Sequence, residues 1–471
     1  MSDEMKQLSE IWKDVLKVSS VAPGDDFFDL GGNSILISKL SIRIMKHFDV
    51  NISFQDLLEN STLRALAEKI ASGRQEKGQL AFTTDKNVIE EDAVLRVPVE
   101  SMLRKTAEYD DEGSIMLTGV TGFLGAFISV SLLKHTDRNI VLMVRAEDRE
   151  KAAARVAQTL STYGLGEFSR SSRFEFICGD ITKDQFGLKA EEYRELAAKV
   201  STVYHSAADV NFVSPYRNVA ETNVDGTRRI LRFAATERRK SVHHISSYVV
   251  YYAPEKQERP LDERSRLTLE QPLGNAYNET KWAADAMCGQ AAEEGLECVR
   301  YRIGTATGDT GGGHCQIRDF FWILIKICLR LRKVPLVDMR FNLIPVDIMA
   351  DAIVGLSMKP YRTGEDAYTL GFDDISIDAV VGWLRTIDED MECTSYELWI
   401  EALRKYAENT QDTAILSALS VFTDRIEWEE PEVDDSHTAD TMKALGLTRQ
   451  TMDLDNFTRT YGYLERTGFF D

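Results

Sequence analysis

SIMLTGVTGFLG, residues 114–125, decides the fold. Residues of strand character, Ser114 to Leu117, run directly into Thr118, Gly119, Val120, Thr121, Gly122, Phe123, Leu124 and Gly125, and a helical stretch follows. A T-G-x-x-G-x-x-G turn puts glycine where the chain must reverse tightly, where backbone must approach a pyrophosphate, and where a helix must lie close on its strand. The order strand, turn, helix separates this motif from three chance glycines. Residues 118–125 are therefore the expected binding loop for a dinucleotide.

Beyond this loop, short apolar runs alternate with helix-length segments: Asn139 to Val144, Arg173 to Ile177, Thr202 to Tyr204, Val242 to Ile245 and Glu297 to Tyr301. Strands separated by helices pair in parallel, so an α/β, doubly wound, Rossmann-type sheet is expected over about residues 113–305. Past Arg302 the alternation loosens. Helix-like stretches at Asp319 to Leu331, Ile377 to Arg385, Tyr396 to Tyr406 and Thr438 to Leu445 predict a smaller substrate-binding subdomain, mainly over residues 306–471. The first of these, with Phe320, Phe321, Trp322, Ile325 and Ile327, reads either as a lid or as plain core.

The second strand ends at Val144-Arg145, where an acidic residue would bind the ribose of NAD. An arginine forks onto a 2′-phosphate instead, so NADPH is expected over NADH. Arg155 either assists or is a solvated helix-face cation. Asp180 and Ile181 are placed to border the adenine, and Ala207 and Ala208 to approach the cofactor backbone, the alternative for each being a strand-end turn.

Tyr277 and Lys281, in N-A-Y-N-E-T-K, are four residues apart and so share one face of a helix. An ammonium there is expected to lower the phenol pKa and prepare it to pass a proton. Ser247, in H-H-I-S-S-Y, ends the fifth strand, where its hydroxyl is expected to reach a substrate carbonyl; Ser246 is the competing candidate. Asn223 either supports the site through hydrogen bonds or is an ordinary helix residue.

Upstream, Met5, Leu8, Trp12, Val15 and Leu16 fall at helical spacing, as do Ile37, Leu40, Ile44 and Phe48. Phe54, Leu57 and Leu58 suggest a third helix, and Leu63, Leu66 and Ile70, behind a Ser61 cap, a fourth. These predict a four-helix bundle over residues 1–75. The polar, aperiodic SGRQEKGQLAFTTDKNVIEEDAVLR that follows reads as a linker, bounded at 76–97, with the second domain over 98–471. Within the bundle, D-D-F-F-D-L-G-G-N-S puts Ser34 at a helix start, where unsatisfied amides and the helix dipole favour a phosphate.

The 471 residues carry a net charge of -20 and no basic stretch interleaved with aromatics, which argues against nucleic acid and anionic membrane surfaces. Six scattered cysteines without C-x-x-C spacing indicate neither a metal site nor a disulfide framework. No apolar run approaches the roughly 20 residues of a membrane span, and the start MSDEMKQLSE lacks the pattern of a signal peptide. A cytoplasmic protein is expected.

Residues 5 to 72, with the acidic aromatic run before Ser34, resemble the peptidyl carrier (thiolation) domains of nonribosomal peptide synthetases. The resemblance implies that Ser34 carries 4′-phosphopantetheine, attached by a phosphopantetheinyl transferase. From Val97 onward, T-G-V-T-G-F-L-G, V-R-A, G-D-I-T, H-S-A-A-D-V-N-F, Y-N-E-T-K-W, Y-R-I-G-T-A-T-G-D and N-L-I-P-V-D-I-M-A-D-A-I are similar to terminal thioester reductase domains of those synthetases. Carboxylic acid and aminoadipate reductases have similar domains, all in the extended short-chain dehydrogenase/reductase group. This implies reductive release of an acyl or peptidyl thioester, with Ser247, Tyr277 and Lys281 catalytic, Lys281 also holding the nicotinamide ribose and Tyr277 and Asn223 also among the cofactor-binding residues, giving an aldehyde or, after a second reduction, an alcohol.

Two departures stand out. Serine occupies position 247, where threonine is frequent, and Ile303 stands where proline is common. No adenylation domain precedes the carrier in this sequence, so a loading partner is expected in trans or in a longer protein. A monomer is expected because the carrier must move. Two other readings remain open: a reductase or epimerase acting on a free nucleotide-sugar, and non-redox cyclising release.

Overall fold

The computed structural model describes residues 3–27, 29–30, 36, 40, 43–44, 47–48, 60–73, 84–106, 109, 112–211, 214–252, 261–265, 267–270, 273–317, 319–361, 364, 367–407, 415 and 431–470. The chain divides into two compact units. The first holds residues 1–82, 318–339 and 377–429; the second holds 83–317, 340–376 and 430–471.

In the first unit, helix α1 (Asp3–Leu16) and helix α2 (Leu63–Gly73) are amphipathic. Leu8, Trp12, Phe27, Leu40, Ile44, Phe48, Leu63, Leu66 and Ile70 bury together, which is the core that the spacing of these residues implies. Trp12 meets Phe27 edge to face, ring centroids 5.1 Å apart. The cap of α2 differs from expectation. Thr62 Oγ1 accepts from the Ala65 amide at 3.3 Å, while Ser61 donates its hydroxyl to the Asp26 carboxylate. Ser34 and the expected third helix around Phe54 lie outside the described residues.

The same unit holds the helix Phe320–Leu331, capped by Asp319, whose carboxylate accepts from the Phe321 amide at 2.9 Å. This helix packs on Lys333–Leu336 and on the helix Tyr396–Ala407, and Phe321, Trp322, Leu324, Ile325 and Ile327 are buried. The plain-core reading of its aromatics therefore holds.

The second unit is built on a seven-stranded parallel sheet. Its strands are β1 (Ser114–Thr118), β2 (Ile140–Val144), β3 (Phe174–Cys178), β4 (Val200–His205), β5 (Ser241–Ser247), β6 (Cys298–Ile303) and β7 (Ala367–Leu370). Their order across the sheet is β7-β6-β5-β4-β1-β2-β3, every pair parallel. The chain order reverses between β1 and β4, which opens a crevice beyond their carboxyl ends. Crossover helices include α3 (Phe123–His135), α4 (Arg149–Thr162), α5 (Ala190–Lys199), α6 (Gly226–Ala234), α7 (Ala276–Glu293) and α8 (Val346–Ser357).

Two features depart from the sequence reading. The sheet has a seventh strand, because residues 367–370 return to pair with Arg300–Ile303. Segments 340–376 and 430–471 accordingly belong with the sheet. The expected linker also ends early. Asp85 caps a helix Lys86–Asp92, and Ile89, Ala93, Leu95, Val97, Val99 and Leu103 are buried in the core that holds α7. Their apolar spacing is masked by the charges around them.

Candidate functional site

The glycine loop is held by steric necessity. Gly119 has φ +78°, and a Cβ there would lie 2.6 Å from the Ala207 amide at the end of β4. A Cβ on Gly125 would lie 2.1 Å from the Gly119 carbonyl oxygen, so α3 can approach β1 only with glycine in that place. Gly122, at the start of α3, is exposed, and no side chain caps this helix. Thr121 and Leu124 flank it half-buried, and Phe123 packs on Tyr163 with ring centroids 4.9 Å apart. Thr118 fastens the loop to its neighbour: its Oγ1 lies 2.9 Å from His205 Nδ1 and accepts from the Ala207 amide at 3.2 Å. An uncapped helix start at the reversal point, with backbone unshielded by side chains, fits the pyrophosphate of a dinucleotide.

At the end of β2, Arg145 is exposed. Arg155 is exposed too, but one guanidinium nitrogen donates to the Arg145 backbone carbonyl, so it buttresses the strand end. Asp180 turns the chain after β3: its carboxylate accepts from the Thr182 amide at 3.0 Å and from the Thr182 hydroxyl at 2.8 Å. Partial burial works against its charge, yet those bonds and the nearby Arg145 hold its carboxyl below the ordinary value. Ile181 packs on Gly226, where a Cβ would lie 2.9 Å from its Cδ1. Ala207 is half-buried and Ala208 exposed.

The catalytic candidates come from β5 and α7. Asn275 caps α7 by accepting from the Asn278 amide at 2.9 Å, and Gly295, at φ +94°, ends it. Tyr277 therefore stands in the first turn. It shares a hydrogen bond with Ser247, the last residue of β5. Ser246 is engaged elsewhere, donating to Asp285 Oδ1 at 2.6 Å, which separates two serines that the sequence left in competition.

Lys281 follows one helical turn after Tyr277 in α7. Its ammonium donates to the Ile245 backbone carbonyl at 2.5 Å and is buried, and burial lowers it to about 8. The Tyr277 phenol is raised by burial and pulled partway back by Ser247. The Lys281 bond ties α7 to β5. Asn223 is likewise a positioning residue. It lies in a π turn, Glu221–Asp225, its amide nitrogen donating to Asp209 O and to Thr280 Oγ1, each at 3.0 Å. Its Oδ1 accepts from the Asp209 amide at 2.7 Å, so its hydrogen bonds tie the loop after β4 to the catalytic helix.

Sequence reading missed the ion pair beneath this site. Arg302 donates to Asp285 from Nε at 3.1 Å and from Nη2 at 2.8 Å, and Arg300 adds a contact at 3.4 Å. Burial opposes charge on Asp285, but Arg302, Arg300 and Ser246 hold its carboxyl well below the usual range. Only the helical placement of Asp285 opposite a strand with alternating arginines gives a local signal. Among the described residues, no group of histidine, cysteine and acidic side chains is arranged to hold a metal, and no helix is long and apolar enough to cross a membrane.

Comparison with known proteins gives two family matches. Residues 117–353 match the family described as male sterility protein, an NAD-binding domain, and residues 6–70 match a phosphopantetheine attachment site, a span that includes Ser34. The L-2-aminoadipate reductase of Saccharomyces cerevisiae is 28% identical over 93% of the chain, which spans 34% of that enzyme's length. The terminal R domain of the myxalamid PKS-NRPS pathway is similar over 82% of this chain and 99% of its own, at 29% identity and TM-score 0.75. A thiolation-reductase di-domain of an archaeal nonribosomal peptide synthetase covers 100% of this chain and 99% of its own, at 24% identity and TM-score 0.79.

Proposed function

We propose, from the premise that the chain belongs to the male sterility protein family of NAD-binding domains and carries a phosphopantetheine attachment domain, that it reductively releases an acyl or peptidyl thioester borne on Ser34. The observation that carries the reading is the Ser247–Tyr277 pair, which stands at the same carboxyl edge of the sheet as the glycine loop.

In this reading a dinucleotide bound at residues 118–125 supplies hydride. Ser247 and Tyr277 donate hydrogen bonds to the substrate carbonyl oxygen as negative charge develops there, and Tyr277 passes its proton to that oxygen. A phenol above its ordinary pKa stays protonated at neutral pH, which suits a donor. Lys281 and Asn223 keep α7 registered on β5 and on the 207–211 loop. Exposed Arg145 favours NADPH over NADH, by pairing with the 2′-phosphate. Arg155 holds the strand end that presents it, Asp180 and Ile181 border the adenine, and Ala207 and Ala208 line the cofactor backbone. The C–S bond then breaks as the oxygen gives its proton to the departing sulfur, so the carbon leaves as an aldehyde and the carrier keeps a free thiol; a second hydride and proton give an alcohol.

The domain assignment under this reading is a carrier bundle over 1–75, a tether ending near residue 83, and a reductase from Thr84 onward. The partners are a phosphopantetheinyl transferase and an upstream adenylating module, and the chain acts as a monomer. To test it, a transferase primes Ser34, a panel of acyl groups is loaded, and NADPH absorbance is followed alongside intact-protein mass. Oxidation of NADPH together with loss of the acyl mass is expected, and Ser34→Ala abolishes both. Release without NADPH oxidation would overturn the redox reading in favour of cyclisation. Full turnover of a free nucleotide-sugar by the Ser34→Ala protein would overturn the carrier reading.

A further inference from the structure

Two residues along α7 from Tyr277, Glu279 is fully buried, and neither carboxyl oxygen has a well-formed hydrogen bond. Burial pushes this carboxyl up to about 7, against the pull of the Thr84 hydroxyl and amide. Tyr216 faces the same place, its phenol raised by burial and by the charges of Asp92 and Glu279. An acid buried with so little pairing costs stability, and the reaction proposed above makes no use of it.

Thr84 begins a strap that runs along the catalytic helix. Gln290 of α7 donates to Ala93 O at 2.8 Å and accepts from the Leu95 amide at 3.1 Å. Glu294 accepts from the Glu100 amide at 3.2 Å, and the Tyr109 hydroxyl accepts from the Glu297 amide at 2.8 Å. As the strap advances from 84 to 109, its partners advance from 279 to 297, so it lies parallel to α7 and starts at the turn next to Tyr277. Thr84 is also where the polypeptide from the Ser34 bundle joins the second unit.

We propose that the strap from Thr84 to Leu103 is a positioning element for Tyr277, acting on the first turns of α7 through Thr84 and Glu279. This rests on the carrier-bound substrate reading. The far turns of α7 are gripped by direct hydrogen bonds from Gln290 and Glu294. At the near turn the strap offers the loosely paired Thr84–Glu279 contact, beside the Tyr277–Ser247, Lys281–Ile245 and Asn223–Thr280 bonds. Loss of the Thr84–Glu279 contact therefore loosens the turn that carries the proton donor.

The test uses the full-length chain, primed at Ser34 and acylated. Single-turnover NADPH oxidation from the tethered thioester is compared with steady-state oxidation of the same acyl group offered as a free pantetheine thioester. Thr84→Val and Glu279→Leu are expected to slow the tethered reaction by about tenfold or more, since small misplacements of catalytic groups are costly. The free thioester is expected to slow by the same factor, since it meets the same Tyr277, while NADPH affinity and Glu279→Gln stay close to the parent and amide exchange at residues 276–281 quickens in the two slow variants. Slowing of neither substrate, or of only one of them, overturns the inference and leaves the strap a packing element. A parent protein that oxidises NADPH with neither substrate instead overturns the proposed function.

Discussion

The two ends of the sheet's carboxyl edge are built on opposite principles. At β1 and β2 the work falls to backbone: glycines packed to within a Cβ of their neighbours, an uncapped helix start, and an arginine left in solvent. At β5 and β6 it falls to buried side chains, with Asp285, Arg300, Arg302, Lys281 and Ser247 enclosed and Tyr277 half-buried beside Ser247. A loop that receives a soluble cofactor must stay open. A proton donor must be held, and burying charge in pairs fixes geometry at the cost of making each partner indispensable.

The comparison is broken most directly at Tyr277. Tyr277→Phe is expected to lower kcat by about 10²- to 10⁴-fold, the usual worth of a positioned acid, while NADPH affinity, read by fluorescence titration, stays near that of the parent. Equal losses in both would merge the two ends into one.

Next in size is Asp285→Ala, which strands Arg302 without its partner. It should cost about 3–5 kcal/mol in denaturant unfolding, whereas Arg145→Ala leaves stability unchanged. The acid limb sharpens this. Because the folded pKa of Asp285 is held below its unfolded 3.8, its contribution is present above that pH and is lost as pH falls through and below it. Asp285→Asn should flatten the stability profile in that range.

Arg145→Ala is expected to weaken NADPH by about 10- to 150-fold, the worth of a charge-assisted hydrogen bond, with little change for NADH. Arg155→Ala is the smallest effect, within about ±0.5 kcal/mol of stability and with cofactor preference retained, because its guanidinium serves a backbone carbonyl.

The same contrast explains what the sequence disclosed. Glycine spacing and a tyrosine four residues from a lysine are local patterns, so the loop and the helix that carries Tyr277 were legible. The behaviour of Lys281 was not, because its partner is a carbonyl 36 residues away in the chain. Asp285 sits in a run of alanines and acquires meaning only opposite Arg302. The helix Lys86–Asp92 was concealed because its single buried residue, Ile89, is surrounded by charge. β7 was missed for a different reason: four residues, AYTL, separated from β6 by a long excursion, are too short to register as a strand without the edge they complete.

That late strand bears on how the polypeptide is made. Ala367 pairs with Arg300 and Leu370 with Ile303, so the rim formed by residues 298–303 stays bare until some 370 residues have left the ribosome. During this interval it presents the row of unmet amides and carbonyls that invites strand exchange with another nascent copy. Truncating a gene for this chain at residue 353, where the family match stops, would make that passing hazard permanent.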